Sequence, residues 1–166
     1  ILTATGNILL CTGRQVGKTT IYSQKAADYM IKHKKSNIIV VSLTEDQAQL
    51  IIIMILTYLE QNHKKLIAKG RKKPTKSKIT LTNGSQVLSR PVGNTGDAVR
   101  GFTGDVLIID EAQKLNDTSL EVLRVLLNYE TNEYKLLQLV LLGQTELHDK
   151  ILDIPNFFDR ISFKYT

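Results

Sequence analysis

The chain has 166 residues, 42% of them hydrophobic, and a formal net charge of +6. This length suits one globular domain with a sizeable core, and we expect residues 1–166 to be a single domain cut from a longer chain. The lone Cys11 excludes an internal disulfide. The longest apolar run, residues 50–59, is far shorter than the roughly 20 residues that span a bilayer. It predicts a buried helix and no membrane insertion.

The positive charge is concentrated in the basic segment, residues 64–78, which contains no acidic residue. Without its eight cations the net charge of the chain would be −2. These are Lys64, Lys65, Lys69, Arg71, Lys72, Lys73, Lys76 and Lys78. Such a segment can follow a phosphate backbone. The alternative is a solvated loop that keeps the protein soluble, because no aromatic residue is interleaved for base stacking.

The first part of the chain alternates strand and helix. The apolar run NILLC (7–11) predicts a buried strand, and the helical spacing of residues 18–33 predicts the helix that follows. NIIVVSL (37–43) predicts a second buried strand. Thr44 is a potential N-cap, with Gln47 as its capping-box partner, for a helix that extends to about Gln61.

The second part begins with a predicted hairpin, KITLTNGSQVLSR (78–90), which alternates around Asn83-Gly84. Residues 91–104 contain four glycines and a proline, which predicts a long loop. The remaining elements alternate again: predicted strands at 105–110, 136–143 and 161–165, and predicted helices at 117–129 and 146–152. This alternation implies right-handed crossovers and a mainly parallel sheet with helices on both faces.

The stretch TGRQVGKTT (12–20) lies between the first predicted strand and the first predicted helix. A phosphate-binding loop needs inward backbone N–H groups, a lysine for the β- and γ-phosphates and a hydroxyl for Mg²⁺. Gly17, Lys18 and Thr19 supply the final glycine, the lysine and the hydroxyl. Thr12 stands where the usual loop has its first glycine. We expect ATP to be held by this loop, at Thr12, Gly13, Arg14, Gln15, Val16, Gly17, Lys18, Thr19 and Thr20.

A second motif, VLIIDEA (106–112), is an apolar strand that ends in two acids. Asp110 at the strand tip can hold the Mg²⁺ shell, together with Thr19. Glu111 beside it can polarise the attacking water. A solvated strand end is the ordinary explanation of two such acids, but their pairing with the phosphate loop favours ATP binding and hydrolysis.

These motifs predict an α/β fold of the P-loop NTPase type with the additional strand of the ASCE division. It is a three-layer sandwich whose mainly parallel five-strand core has the order 5-1-4-3-2, with the hairpin inserted. The order follows because Glu111 can face the γ-phosphate only if another strand lies between the first and the third.

Residues 1–112 resemble the ATPase of the large terminase subunits of tailed viruses, which pump DNA into capsids. The resemblance lies in GRQVGKTT with its Arg-Gln pair, IIVVSLTEDQAQ, ITLTNGSQVLSRP and VRGFTGDVLIIDEA. It implies that Arg100, in the glycine-rich loop, is an arginine finger that reaches a neighbouring subunit. The small-residue, Ser/Thr-rich coupling motif that terminases carry at the end of the next strand is absent from this sequence.

Residues 105–166 resemble instead the AAA-type ATPases of the general secretion pathway. The resemblance lies in DEAQ and the helix after it, the NYET segment, and the strand that ends in Gly-Gln. FFDRI (157–161) matches the place where that family carries a late arginine, here Arg160. The sequence thus combines features of two related ATPases that build the same strand core.

Three arginines are candidates for stabilising the transition-state charge: Arg14 from within the loop, and Arg100 or Arg160 from a neighbouring subunit. Each can also be a plain surface residue. Gln144, at the tip of the fourth strand, can sense the γ-phosphate or be an ordinary strand-end amide.

The sequence leaves three functions open. The first is a terminase-like motor that couples ATP hydrolysis to translocation of double-stranded DNA, working as a homo-oligomeric ring in the full-length parent. The second is a secretion-type regulatory ATPase that acts on a protein partner. The third is a chimera that binds ATP poorly and hydrolyses little. In each case we expect a cytoplasmic protein, which for a viral protein means the cytoplasm of the host cell.

Overall fold

The computed structural model describes residues 6–13, 17–91, 104–127, 137–154 and 156–165. The strands are β1 (Ile8–Cys11), β2 (Asn37–Ser42), β3 (Lys78–Thr80), β4 (Gln86–Pro91), β5 (Val106–Ile109), β6 (Gln138–Gly143) and β7 (Phe163–Tyr165). The α-helices are α1 (Lys18–Lys32), α2 (Glu45–Asn62), α3 (Asp117–Leu126) and α4 (Glu146–Leu152). Each predicted element is present, within a few residues of its predicted ends. The predicted loop at 91–104 falls mostly outside the described residues.

All seven strands form one sheet in the order β3-β4-β2-β5-β6-β1-β7. The five predicted core strands keep the relative order 5-1-4-3-2, and they pair in parallel. The complete order differs from the predicted five-strand sheet because the hairpin belongs to the same sheet. Strand β4 pairs in parallel with β2, and β3 lies antiparallel to β4 at the outer edge.

The sheet separates two apolar layers, as expected for a three-layer fold. Alternate residues of each strand point to opposite faces. In β2, Ile38 and Val40 contribute to the cluster formed with α1 and α2. Ile39 and Val41 contribute to the cluster on the other face, formed with α3 and α4. Strands covered on both faces must be apolar throughout, which explains the continuous runs in the sequence.

Helix α2 confirms the predicted helix, but it is buried along one face only, and Leu50 and Ile53 of the apolar run are about half exposed. It begins after Thr44, whose hydroxyl accepts the Gln47 N–H at 3.3 Å. Only this half of the predicted capping box forms, because the Gln47 side chain instead accepts the Ser42 hydroxyl at 3.2 Å. The apolar run supplies its inner face, including Ile51, Ile52, Ile55 and Leu59. Across the described part of the chain, no helix is long and apolar enough to cross a membrane.

The predicted hairpin forms between β3 and β4, and its turn is anchored to α1. Gly84 has a φ of 88°, a left-handed conformation that glycine adopts without strain. The Asn83 side chain accepts the Ser85 N–H at 2.9 Å and donates to the Met30 carbonyl at 2.8 Å. The tip of the hairpin is therefore tied to the last turns of α1.

Candidate nucleotide-binding site

Three strands end side by side at the carboxyl edge of the sheet. Cys11 of β1 is in register with Gly143 of β6, and Ile109 of β5 is in register with Leu141 of β6. The segments that follow these strands must therefore meet at one edge. This is where ligands bind in open parallel sheets.

The described part of the phosphate loop is held against this edge and against α1. The Thr12 N–H donates to the Gly143 carbonyl at 3.2 Å. Gly17 caps the helix with a φ of 75°, and Lys18 is the first helical residue. The Lys18 ammonium donates to the carbonyls of Thr12 at 2.8 Å and Gly13 at 3.1 Å. The lysine thus lies within the loop, next to the N–H groups at the start of α1 that favour anions.

The remaining predicted loop residues are less informative. Thr20 follows on α1 and is exposed. Arg14, Gln15 and Val16 lie outside the described residues. The prediction that they contact nucleotide stays a prediction.

The two predicted Mg²⁺ residues, Thr19 and Asp110, lie together. Burial raises the pKa of the Asp110 carboxyl above its usual value. The nearby Glu111 charge also raises this pKa. Three contacts lower it: the Glu111 backbone N–H, which donates to Asp110 Oδ1 at 3.1 Å, the positive charge of Lys18, and a hydrogen bond with the Thr19 side chain. A hydroxyl and a carboxyl are the hard oxygen donors that Mg²⁺ prefers, and a cation would offset the burial of the carboxylate. The residues therefore fit the ion.

Glu111 has an unusual backbone conformation for a residue with a side chain. Its φ is 54° and its ψ is 38°, in the left-handed region. Such conformations cost on the order of 1–3 kcal/mol and cluster at functional sites. The side chain is 29% exposed, and its Oε2 accepts the Gln113 amide at 2.8 Å and lies 3.6 Å from the Lys114 ammonium. The carboxylate is thus held in place while water can still reach it.

Gln144 follows β6 directly, at the same edge as Glu111. Its backbone N–H donates to Gln113 Oε1 at 3.3 Å. The predicted sensor and the predicted base are therefore linked through one amide, that of Gln113. Gln113 was not among the site residues predicted from the sequence. Its position in DEAQ, two residues after the predicted base Glu111, was the feature that could have indicated it.

Arg160 is not brought to the phosphate loop of its own chain. Its carbonyl accepts the Asn7 side chain at 3.0 Å, and its guanidinium donates to the Leu127 carbonyl at 3.4 Å. Asn7 precedes β1, whereas the phosphate loop follows β1, roughly 16 Å away at ~3.3 Å per strand residue. Arg100 lies outside the described residues. The expectation that one of these arginines acts in a neighbouring subunit stays untested.

Comparison with solved structures finds similar folds among viral large terminases. The large terminase ATPase domain of Thermus phage P74-26 is 18% identical, with a TM-score of 0.61 over 98% of this chain and 75% of that chain. The HK97 bacteriophage large terminase is 16% identical, with a TM-score of 0.69 over 98% of this chain and 35% of that chain. The ADP complex of a large terminase from a thermophilic bacteriophage is 13% identical, with a TM-score of 0.63 over 86% of this chain and 34% of that chain. At these identities the likeness concerns the fold alone.

Two comparisons concern the sequence itself. General secretion pathway protein A of Aeromonas hydrophila is 54% identical over 62 residues, which are 36% of this chain and 11% of that protein. The chain thus spans about a tenth of this relative. The AAA domain family matches residues 3–151, a range that includes the point at which the two sequence resemblances meet. With this match and the phosphate-loop geometry, the chain belongs to the AAA domain family of P-loop nucleotide-binding proteins.

Proposed function

We propose that this domain is a Mg²⁺-dependent ATPase that drives translocation of double-stranded DNA. The observation that carries the ATPase part is the convergence of Lys18, Thr19, Asp110 and Glu111 at one edge of the sheet. These four side chains supply a phosphate-neutralising cation, two oxygen ligands and a general base. Terminase-like folds support the DNA part.

In this proposal ATP replaces the loop carbonyls as the partner of Lys18. The ammonium leaves Thr12 and Gly13 and neutralises charge on the β- and γ-phosphates. Thr19 and Asp110 would hold Mg²⁺, which would screen the negative charge of the phosphates. Glu111 accepts a proton from water as the water oxygen bonds to the γ-phosphorus and the bond to the β–γ bridging oxygen breaks. Gln144 would sense the γ-phosphate.

The basic segment is the proposed surface for the DNA backbone. Seven of its eight cations are exposed, and none forms an ion pair in the described part of the chain. The segment runs along the outer edge of the sheet, where Ile67 bridges Leu81 and Ser77 accepts the Ser89 N–H. Phosphates are the counter-ions that such a surface fits.

A specific observation favours a second candidate, an AAA-type regulatory ATPase that acts on a protein partner. This observation is that 62 residues of the chain are 54% identical to the general secretion pathway protein. Turnover measured with and without double-stranded DNA separates the candidates. Strong stimulation supports the motor, basal turnover alone supports the regulator, and negligible turnover supports a domain that folds but has lost its activity.

Assembly into a ring is part of the motor proposal, because Arg100 or Arg160 would complete the site from a neighbouring subunit. An arginine finger is worth about 10³–10⁵ in rate, so turnover per molecule should rise with protein concentration. Mixing Arg100→Ala with Glu111→Gln should restore part of the activity, since some interfaces pair two intact residues. No recovery, with a rate independent of concentration, would favour Arg14 acting within its own chain. In a virus such a motor would work in the host cytoplasm.

A further inference from the structure

The short 3₁₀ turn Ala112–Lys114 places one amide between two parts of the site. Gln113 is half-buried, and its Nε2 donates to Glu111 Oε2 at 2.8 Å. Its Oε1 accepts the backbone N–H of Gln144 at 3.3 Å. One side chain thus connects the proposed base to the tip of β6.

An amide side chain of this length suits both contacts. Its nitrogen donates to the carboxylate and its oxygen accepts from the backbone, whereas a carboxylate only accepts and an ammonium only donates. Lys114 also approaches Glu111, but its side chain is 51% exposed and its charge is screened by water. Gln113 is therefore the directional contact that fixes the carboxylate.

Neighbouring elements keep the Gln113 amide in this position. A Cβ atom added to Gly143 would lie 3.0 Å from Gln113 Oε1 and 2.5 Å from Leu147 Cδ2, so the glycine makes room for the amide. The Lys150 ammonium of α4 donates to the carbonyls of Gln113 and Leu115. The turn is thus held from β6 on one side and from α4 on the other.

We propose that Gln113 is a positioning residue that holds Glu111 ready to accept the proton of the attacking water. It also makes the position of the carboxylate depend on the tip of β6, where Gln144 would respond to the γ-phosphate. This inference rests on the proposed ATPase activity. These two hydrogen bonds involve neither Lys18 nor Thr19, so their loss should affect turnover and leave nucleotide binding unchanged.

The test compares Gln113→Met, which keeps the length of the side chain and removes both hydrogen bonds, with a matched control, Gln49→Met. Gln49 also donates to a carboxylate at 2.8 Å, that of Glu45, but at the exposed surface of α2. For Gln113→Met we expect kcat to fall by about 10- to 100-fold, because small misplacements of a reacting group have effects of that size. The Kd of Gln113→Met for a fluorescent ATP analogue should stay within about twofold of the value for the unmodified domain. For Gln49→Met, both kcat and this Kd should stay within about twofold.

Two further variants keep the proposal falsifiable. Gln113→Glu retains a polar side chain of the same length but, when ionised, cannot donate to Glu111, and it should lose turnover even if Gln113→Met folds poorly. In a Glu111→Gln background, where turnover is already stopped, Gln113→Met should leave the Kd of the ATP analogue within about twofold of that of Glu111→Gln alone, because neither change touches the residues that bind the phosphates. Unchanged or higher kcat in Gln113→Met and Gln113→Glu would overturn the inference. Near-normal turnover of Glu111→Gln alone would instead overturn the proposed base.

Discussion

Among single residues, Glu111 has the feature that most strongly indicates a functional site, which is its left-handed backbone conformation. The sequence identified it as an acid after an apolar strand, but nothing in that pattern indicates a left-handed φ of 54°. Lys35 and Asn156 share this feature, and they lie in exposed turns. At Glu111 the conformation is combined with a hydrogen-bonded carboxylate next to Asp110. Backbone strain at that position is consistent with a site shaped for chemistry.

Cys11 offers a prediction about reactivity beneath the phosphate loop. Burial raises the pKa of its thiol from 9.0 to about 11. At pH 8 the thiolate fraction should then be ~100-fold smaller than in the unfolded chain, and alkylation by iodoacetamide should slow by at least about that factor, because the side chain is also buried away from the reagent. Comparing labelling in buffer and in urea by mass spectrometry checks this, and equal rates would contradict it.

The same shift gives the sign of a pH effect on stability. The folded state keeps the thiol proton at a pH where the unfolded state loses it. The contribution of the Cys11 thiol to the free energy of unfolding is therefore fully present below about pH 9, and it is lost as the pH rises towards 11. Between pH 9 and pH 11 the free energy of unfolding of the unmodified domain should therefore fall relative to that of Cys11→Ala.

At the scale of elements, local patterns explain the strands and caps, whereas contacts between elements follow from the fold. Apolar runs predicted the core strands, and Asn83-Gly84 predicted the hairpin. The bond from Asn83 to Met30 and the exposed position of Arg160 at the far end of β1 depend on residues distant in the chain. Periodicity carries no information about such pairs. For the same reason the site acids were predictable from their motifs, but the contact of the Gln113 amide with the Gln144 N–H, 31 positions along the chain, was not.

Asn7 shows how such a contact stabilises the sheet, and it provides a prediction about the free energy of unfolding. This residue is 1% exposed; its side chain donates to the Arg160 carbonyl at 3.0 Å and accepts the Leu139 N–H at 3.0 Å. Asn7→Ala should lower the free energy of unfolding by about 1–3 kcal/mol, because it leaves buried partners without hydrogen bonds.

Urea unfolding measures this, with Asn62→Ala as the matched control. The Asn62 side chain is exposed and donates to the Tyr58 carbonyl of its own helix at 2.9 Å. Its loss should change stability by no more than about 0.5 kcal/mol. Equal effects of the two substitutions would mean that Asn7 does not link β1 to its neighbours.

At the scale of the whole molecule, the basic segment either contacts nucleic acid or protects the sheet edge. The alternative explanation of this charge is that it keeps the edge of the sheet solvated, because lysines at an edge strand prevent sheets from pairing edge to edge; Lys78 lies on edge strand β3 and the other cations lie beside it. Neutralising Lys64, Lys65, Lys72 and Lys73 to Gln should weaken DNA binding and flatten its salt dependence. The slope of log K against log salt should fall by up to about 0.9 per lost phosphate contact.

A matched variant neutralises four lysines outside the basic segment: Lys25, Lys32, Lys34 and Lys164. It should leave the slope close to that of the unmodified domain. If both variants reduce the slope equally, or neither does, the segment makes no specific contact with DNA.

The central claim is that this edge of the sheet binds and hydrolyses ATP with Lys18 and Glu111 in separate functions. The most direct test measures ATP affinity and turnover of Lys18→Ala and Glu111→Gln side by side with the unmodified domain. The lysine contacts the phosphates of bound ATP, so Lys18→Ala should lose tight binding. The glutamate acts mainly once water attacks, so Glu111→Gln should bind ATP normally and stop turnover. Tight binding by Lys18→Ala together with near-normal turnover by Glu111→Gln would contradict the claim.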